Sequence, residues 1–152
     1  MLLTAPGAIT TGGTVTASGT GPDTRTVTFG EGALDAAYAA ETNAGGDIVV
    51  NSTGASFTAS GALTAASDVT VTTSTSAALL GSTTATAGNV AVTTGASAQL
   101  VGDVTSGANT TVVAGTTAAI QQNVTAGGNY TVTGGTGVTL GDASPRDRKS
   151  VV

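Results

Sequence analysis

"AGGNYTVTGGTGVTLG", residues 126–141, is composed of Gly, Thr, Val, Ala and Leu with one Asn and one Tyr. With almost no side chain able to do chemistry, its information lies in the pattern. Tyr130 and Val132 alternate with Thr131 and Thr133, and Val138 and Leu140 flank Thr139. Alternation over so short a run, rich in β-branched residues, predicts strands with one face buried. The glycines between the runs supply turns.

The same phrase recurs upstream. "GDIVVNSTGASF", "SDVTVTTSTSAALL", "GNVAVTTGASAQL" and "ANTTVVAGTTAAI" align with "GNYTVTGGTGVTL" on the anchors Asp47, Asp68, Asn89, Asn109 and Asn129, spaced 21, 21, 20 and 20 residues apart. A fixed period near twenty marks a solenoid, in which one coil cannot bury its core alone. One and three residues after the anchors stand Ile48 and Val50, Val69 and Val71, Val90 and Val92, and Tyr130 and Val132. A second apolar pair follows at nine and eleven: Ala77 and Leu79, Ala98 and Leu100, Ala118 and Ile120, Val138 and Leu140. The first coil is out of step and uses Phe57, and a weaker third position holds Val104 and Val124.

Three short strands per coil of about 20–21 residues predict an all-β fold, a parallel β-helix rising about 4.8 Å per coil. The handedness preference of parallel crossovers makes it right-handed. Equivalent residues should then stack, Val71, Val92 and Val112 in one column. Asn89, Asn109 and Asn129 should line one corner, bonding from coil to coil or serving turn preference alone. Threonine is placed on the outer face, where it favours strand and stays soluble without charge.

Residues 47–144 read as the regular coils and 1–46 as irregular ones. Within the latter, "EGALDAAYAA", residues 31–40, has an Ala-rich composition that favours a short helical or loop insertion, with a strand across 33–40 as the alternative. Residues 145–152 change character. Arg146, Arg148 and Lys149 are three of the four basic residues in the chain. The run "DRKSVV", from Asp147 to Val152, resembles one reading frame of a common sequencing-library adapter. The tail is expected to be non-native or disordered, a basic terminal tail being the other reading, and the protein to be a fragment of something longer.

Composition narrows the function. The 152 residues include no Cys, His or Trp, 23 Gly, and a formal net charge of −5. Thr is about one residue in five. Regular apolar spacing and a mean hydropathy of +0.28 argue against disorder. Before Ser144, Arg25 is the only basic residue. Such a chain has no footprint for nucleic acid or for anionic lipid. No apolar run is long enough for a membrane helix, so direct insertion is not expected. The start, "MLLTAPGAIT", lacks the basic region and apolar core of a signal peptide.

The phrases "TAGGNYTV", "AGNVAVTTGASAQLVGDVTSG" and "GGTGVTLG" resemble the shaft repeats of filamentous haemagglutinin-like exoproteins of Gram-negative bacteria. Those large adhesins leave the cell by two-partner secretion or as autotransporter passengers. The resemblance spans residues 43–141 and rests on period and composition. It implies a right-handed helix and an extracellular or cell-surface location, associated with the outer membrane. It also implies a structural, adhesive role. Partners would be a host or environmental surface, protein or glycan, reached by the full-length protein, and an outer-membrane translocator during export. Open coil ends would favour self-association.

An enzyme is not expected, and no catalytic, cofactor-binding or metal-binding residue is assigned. A polysaccharide lyase or hydrolase on this fold needs clustered carboxylates with Lys, Arg or His, and only Asp47 and Asp68 stack before the anchors turn to Asn. The calcium β-roll signature is missing, although Asp47 and Asp68 could hold an adventitious Ca²⁺. Ice binding needs Thr-x-Thr at one register in every coil. Residues two and four after the anchors are Val49 and Asn51, Thr70 and Thr72, Ala91 and Thr93, Thr111 and Val113, and Thr131 and Thr133, so the rank is broken. Asn51, Asn109, Asn123 and Asn129 each open an N-x-Ser/Thr triplet.

Overall fold

The computed structural model describes residues 2–3, 15–17, 27–29, 36–38, 42–44, 46–52, 56–141 and 149–151, with side chains at 46–51 and 56–141. Among them strands are the regular elements, joined by bends and short irregular turns. The regular part opens after five short strands, β1 (Leu2–Leu3), β2 (Val15–Ala17), β3 (Val27–Phe29), β4 (Ala36–Tyr38) and β5 (Thr42–Ala44). Four consecutive coils follow. They are β6 (Ile48–Ser52), β7 (Phe57–Ala59) and β8 (Leu63–Ala65); β9 (Val69–Thr73), β10 (Ala77–Leu79) and β11 (Thr83–Ala85); β12 (Val90–Thr94), β13 (Ala98–Leu100) and β14 (Val104–Ser106); and β15 (Thr110–Ala114), β16 (Thr117–Ile120) and β17 (Val124–Ala126). A further part-coil holds β18 (Tyr130–Gly134) and β19 (Gly137–Leu140), and β20 (Lys149–Val151) comes last.

From β2 to β19 every third strand pairs in parallel with its counterpart one coil away, and β1 and β20 pair with β3 and β18 at the two ends. The result is three sheets: β1-β3-β6-β9-β12-β15-β18-β20, β4-β7-β10-β13-β16-β19, and β2-β5-β8-β11-β14-β17. This is the expected parallel β-solenoid with three strands per coil. The register places Val71, Val92 and Val112 in one column, extended by Val50 and Val132.

Alternation decides what lies inside. In the five-residue first-sheet strands the first, third and fifth side chains of β9, β12 and β15 are buried. In the three-residue strands of the other sheets the two ends are buried and the middle faces out. Seven inward columns therefore fill the interior, two more than the sequence pattern singles out. The additions are the fifth position of the first sheet, Thr73, Thr94 and Ala114, and the last position of the third, Ala65, Ala85, Ser106 and Ala126. Small or hydroxylated residues occupy both, so an apolar count does not detect them.

Volume is balanced between neighbouring columns. In the second sheet the inward pairs are Phe57 with Ala59, then Ala77 with Leu79, Ala98 with Leu100, and Ala118 with Ile120, all buried. Each coil spends one bulky and one small residue on the same width of interior, and a swap of places in the first coil is absorbed by repacking. Coil-length differences are absorbed in turns. From the first coil to the second, first-sheet partners Ile48 and Val69 are 21 residues apart, whereas second-sheet partners Phe57 and Ala77 are 20 apart. That offset puts Phe57 out of step with its anchor.

Threonine is not confined to the outer face. Thr73, Thr83, Thr94 and Thr110 are all buried. Thr110 shares a 2.9 Å hydrogen bond with Ser106 inside the solenoid, and the Thr94 hydroxyl donates to the Ala96 carbonyl at 3.3 Å. A Thr is close to Val in shape, so it fits an inward column, and the Thr94 and Thr110 hydroxyls find partners there.

Of the alternatives for residues 31–40, the strand is the one described. Ala36–Tyr38 pairs with Phe57–Ala59, because the parallel edge of β7 accepts any extended segment. The remainder of 31–40 lies outside the described residues. The tail expected to be non-native or disordered contributes Lys149–Val151 as β20, paired with β18. The edge of β18 explains this in the same way, and the origin of the tail is a separate matter from its pairing.

Candidate functional site

The polar groups of the solenoid collect at its three corners. A strand cannot turn without leaving backbone N–H groups off the sheet ladder, and these need acceptors. At the anchor corner the side chain one coil earlier supplies them. The Asp68 amide donates to Asp47 Oδ1 at 3.1 Å, and the Asn89 amide to Asp68 Oδ1 at 2.6 Å. The Asn109 amide donates to Asn89 Oδ1 at 3.1 Å and the Asn129 amide to Asn109 Oδ1 at 2.8 Å. Side chains join in where the anchor is Asn: Asn89 Nδ2 donates to Asp68 Oδ1 at 3.1 Å, and Asn109 Nδ2 to Asn89 Oδ1 at 3.2 Å. The expected Asn stack is present, and the two Asp residues continue it. The ladder is polar, each rung accepting from the coil that follows.

The other corners use the same device. Before the second sheet, Ser97 Oγ donates to Ser76 Oγ at 2.9 Å, and Ser56 and Thr75 hydroxyls lie 3.2 Å apart. Before the third sheet the Asn123 amide donates to Asp103 Oδ1 at 3.2 Å. These minor ladders are harder to read from the sequence, because Ser, Asp and Asn alternate in them.

The outward strand faces of the regular coils are uncharged. On the first sheet two columns run Val49, Thr70, Ala91, Thr111, Thr131 and Asn51, Thr72, Thr93, Val113, Thr133. The broken Thr-x-Thr rank expected from the sequence is therefore in register, with Val, Ala and Asn interrupting it. From β8 to β17 the third sheet carries an outward column of Thr64, Thr84, Thr105 and Thr125, with Asn43 as the register partner of Thr64 on β5. Its signal was present in the recurrence of Thr at the coil period, masked by the abundance of Thr elsewhere. Only Leu80 and Val113 are large apolar side chains at the surface among the described residues.

Acidic groups are divided between corners. Asp47 and Asp68 belong to the anchor ladder and Asp103 to the third-sheet corner. No group of three or more His, Cys, Asp or Glu comes together among the described residues. The Asp47 and Asp68 Oδ1 atoms that accept backbone amides hold the turns of the anchor corner. No helix among the described residues is long and apolar enough to cross a membrane.

Two buried hydroxyls, Thr73 Oγ1 and Tyr130 OH, have no hydrogen-bond partner among the described residues. Tyr130 heads the column of Ile48, Val69, Val90 and Thr110, and burial pushes its phenol up to about 12. Burial disfavours the charged form of the phenol.

The chain matches no family model, no curated protein and no solved structure.

Proposed function

We propose that this chain is a segment of the structural shaft of a large secreted or cell-surface bacterial adhesin, acting as a rigid rod that holds binding regions away from the cell. The observation that carries the reading is the continuity of the columns. Coil after coil repeats the same inward register and the same corner ladder, while the outward residues vary among Thr, Ala, Val, Asn and Gln without forming a reactive group. Such a surface suits reach rather than turnover. Each coil adds about 4.8 Å of length, and dense backbone pairing resists proteolysis. The outward repertoire and the coil period also agree with the haemagglutinin-like shaft repeats that the sequence resembles. In this reading the partners are a host or environmental surface, engaged by the full-length protein, and a translocator during export.

The test is small-angle scattering on the chain and on a version with its regular coils duplicated. A shaft gives an unchanged cross-section and a length that grows by about 4.8 Å per added coil. A compact increase in all dimensions overturns the rod. Release of unsaturated sugar from a polysaccharide panel, or thermal hysteresis, would replace the shaft with a lyase or an ice-binding protein. Export is tested by the full reading frame, where a secretion domain or translocator barrel is expected.

A further inference from the structure

Corner length is nearly constant in the solenoid, and one described corner departs from it. Between the second sheet and the third, three residues join the strands in each regular coil: 60–62, 80–82, 101–103 and 121–123. Between the third sheet and the first the joins are 66–68, 107–109 and 127–129, again three residues, but 86–89, four residues, after β11. The register is untouched by the extra residue. Ala85 still pairs with Ala65 in the coil before and Ser106 in the coil after, and Val90 with Val69 and Thr110.

Backbone bonds locate where the residue is absorbed. The Thr86 and Ala87 amides donate to the Ala65 and Ala66 carbonyls of the earlier coil at 2.9 and 3.0 Å. The Gly107 and Ala108 amides of the later coil take the Ala85 and Gly88 carbonyls, each at 2.9 Å, and step over the two residues between. Beyond Gly88 the Asn89 amide is held by Asp68 Oδ1. The corner is therefore gripped on both sides of the bond between Ala87 and Gly88, and Thr86 and Ala87 are exposed. Tolerance of added chain depends on the burial and bonding of the backbone it interrupts. Added chain at this bond moves none of those grips. A β-carbon on Gly107 would meet the Thr86 carbonyl, and Thr86 also stays in place.

The corner between the second and third sheets is built differently. Its length is the same in all four coils, and a β-carbon on Gly81 or Gly102 would meet the carbonyl of Gly61 or Gly81 one coil earlier. Asp103, next to Gly102, holds the Asn123 amide of the later coil. The corner between the first and second sheets is longer by one residue in its first coil, 53–56 against 74–76, but residues 53–55 lie outside the described ones.

We propose that the bond between Ala87 and Gly88 is the branch point of this rod, the place where a projecting loop leaves it to meet a partner surface. A loop there extends sideways from the corner and leaves the sheets paired past it. Its cost is that of loop closure, which grows only with the logarithm of length. The loop's part in attachment rests on the shaft reading, whereas the tolerance of the corner rests on the register alone.

The experiment inserts an epitope of about ten residues, flanked by Gly and Ser, after Ala87 or after Gly102 in the full chain. After Ala87 an unchanged β-sheet circular dichroism spectrum, a fall in Tm of no more than about 5 °C and antibody binding to the folded chain are expected. After Gly102 the expectation is a fall of about 10 °C or more, or loss of the spectrum. Deletions probe the same corners in the opposite sense. Removing Ala87 restores the three-residue join of the neighbouring coils and should move Tm by less than about 3 °C, whereas removing Gly102 should cost about 10 °C or more. Equal losses at the two corners overturn the proposal, as does an epitope after Ala87 that the antibody cannot reach in the folded chain. Small-angle scattering of the Ala87 insertion separates the two readings: a particle that keeps its Tm but is not elongated refutes the shaft and leaves the tolerant corner standing.

Discussion

Val92→Ala probes the central column. Val92 is fully buried, with Val71 as its register partner one coil below and Val112 one coil above. Truncation removes about two methylene equivalents, worth roughly 0.8 kcal/mol each. A residual cavity of a few tens of Å³, at about 24 cal/mol per Å³, adds around 1 kcal/mol, because backbone pairing on both sides prevents collapse. The expected loss is about 2–3 kcal/mol. The assay is urea unfolding followed by β-sheet circular dichroism, with Thr93→Ala as the control. Thr93 is the next residue along the strand and is exposed, so its truncation should stay within about 0.5 kcal/mol. Double-mutant cycles then test the stacking itself. Val71→Ala with Val92→Ala should couple by roughly 0.5 kcal/mol or more, and Val71→Ala with Val112→Ala, two coils apart, by much less. Equal costs at 92 and 93 would refute the alternation. Equal coupling across one coil and two would refute the column.

Asn109→Ala removes a rung that accepts from Asn129 and donates to Asn89, and should cost about 1–2 kcal/mol in the same unfolding assay. Gly115→Ala would place a β-carbon on the carbonyl oxygen of Gly95, a backbone atom that cannot swing aside, so a loss of about 2 kcal/mol or more in thermal unfolding is expected. Tyr130→Phe deletes a buried hydroxyl without a partner and should leave stability unchanged or raise it by about 0.5–1 kcal/mol, read as an increase in Tm. The same variant carries a pH signature. The folded phenol ionises near 12 and the unfolded one near 10.0, so the contribution of Tyr130 is intact below pH 10.0 and is lost as pH rises toward 12. The alkaline fall in Tm should therefore be shallower for Tyr130→Phe than for the parent.

The coil and its strands were legible in the sequence because both depend on spacing. Strand alternation repeats every two residues and coil stacking every twenty or so, and Val50, Val71, Val92 and Val132 obey both at once. The Asn ladder was legible too, since identical residues at the coil period have nowhere to go but above one another. Tertiary structure decided that the alternation of Val69 and Val71 carries on through Thr73 into the interior. Thr72 and Thr73 are adjacent and chemically identical, yet one is exposed and the other buried. It decided that Phe57 shares its coil width with Ala59 and that Leu79 shares its own with Ala77. Local pattern fixes the direction a side chain points. Whether an amide or hydroxyl finds a partner depends on atoms a full coil away, which only the closed solenoid brings within bonding distance.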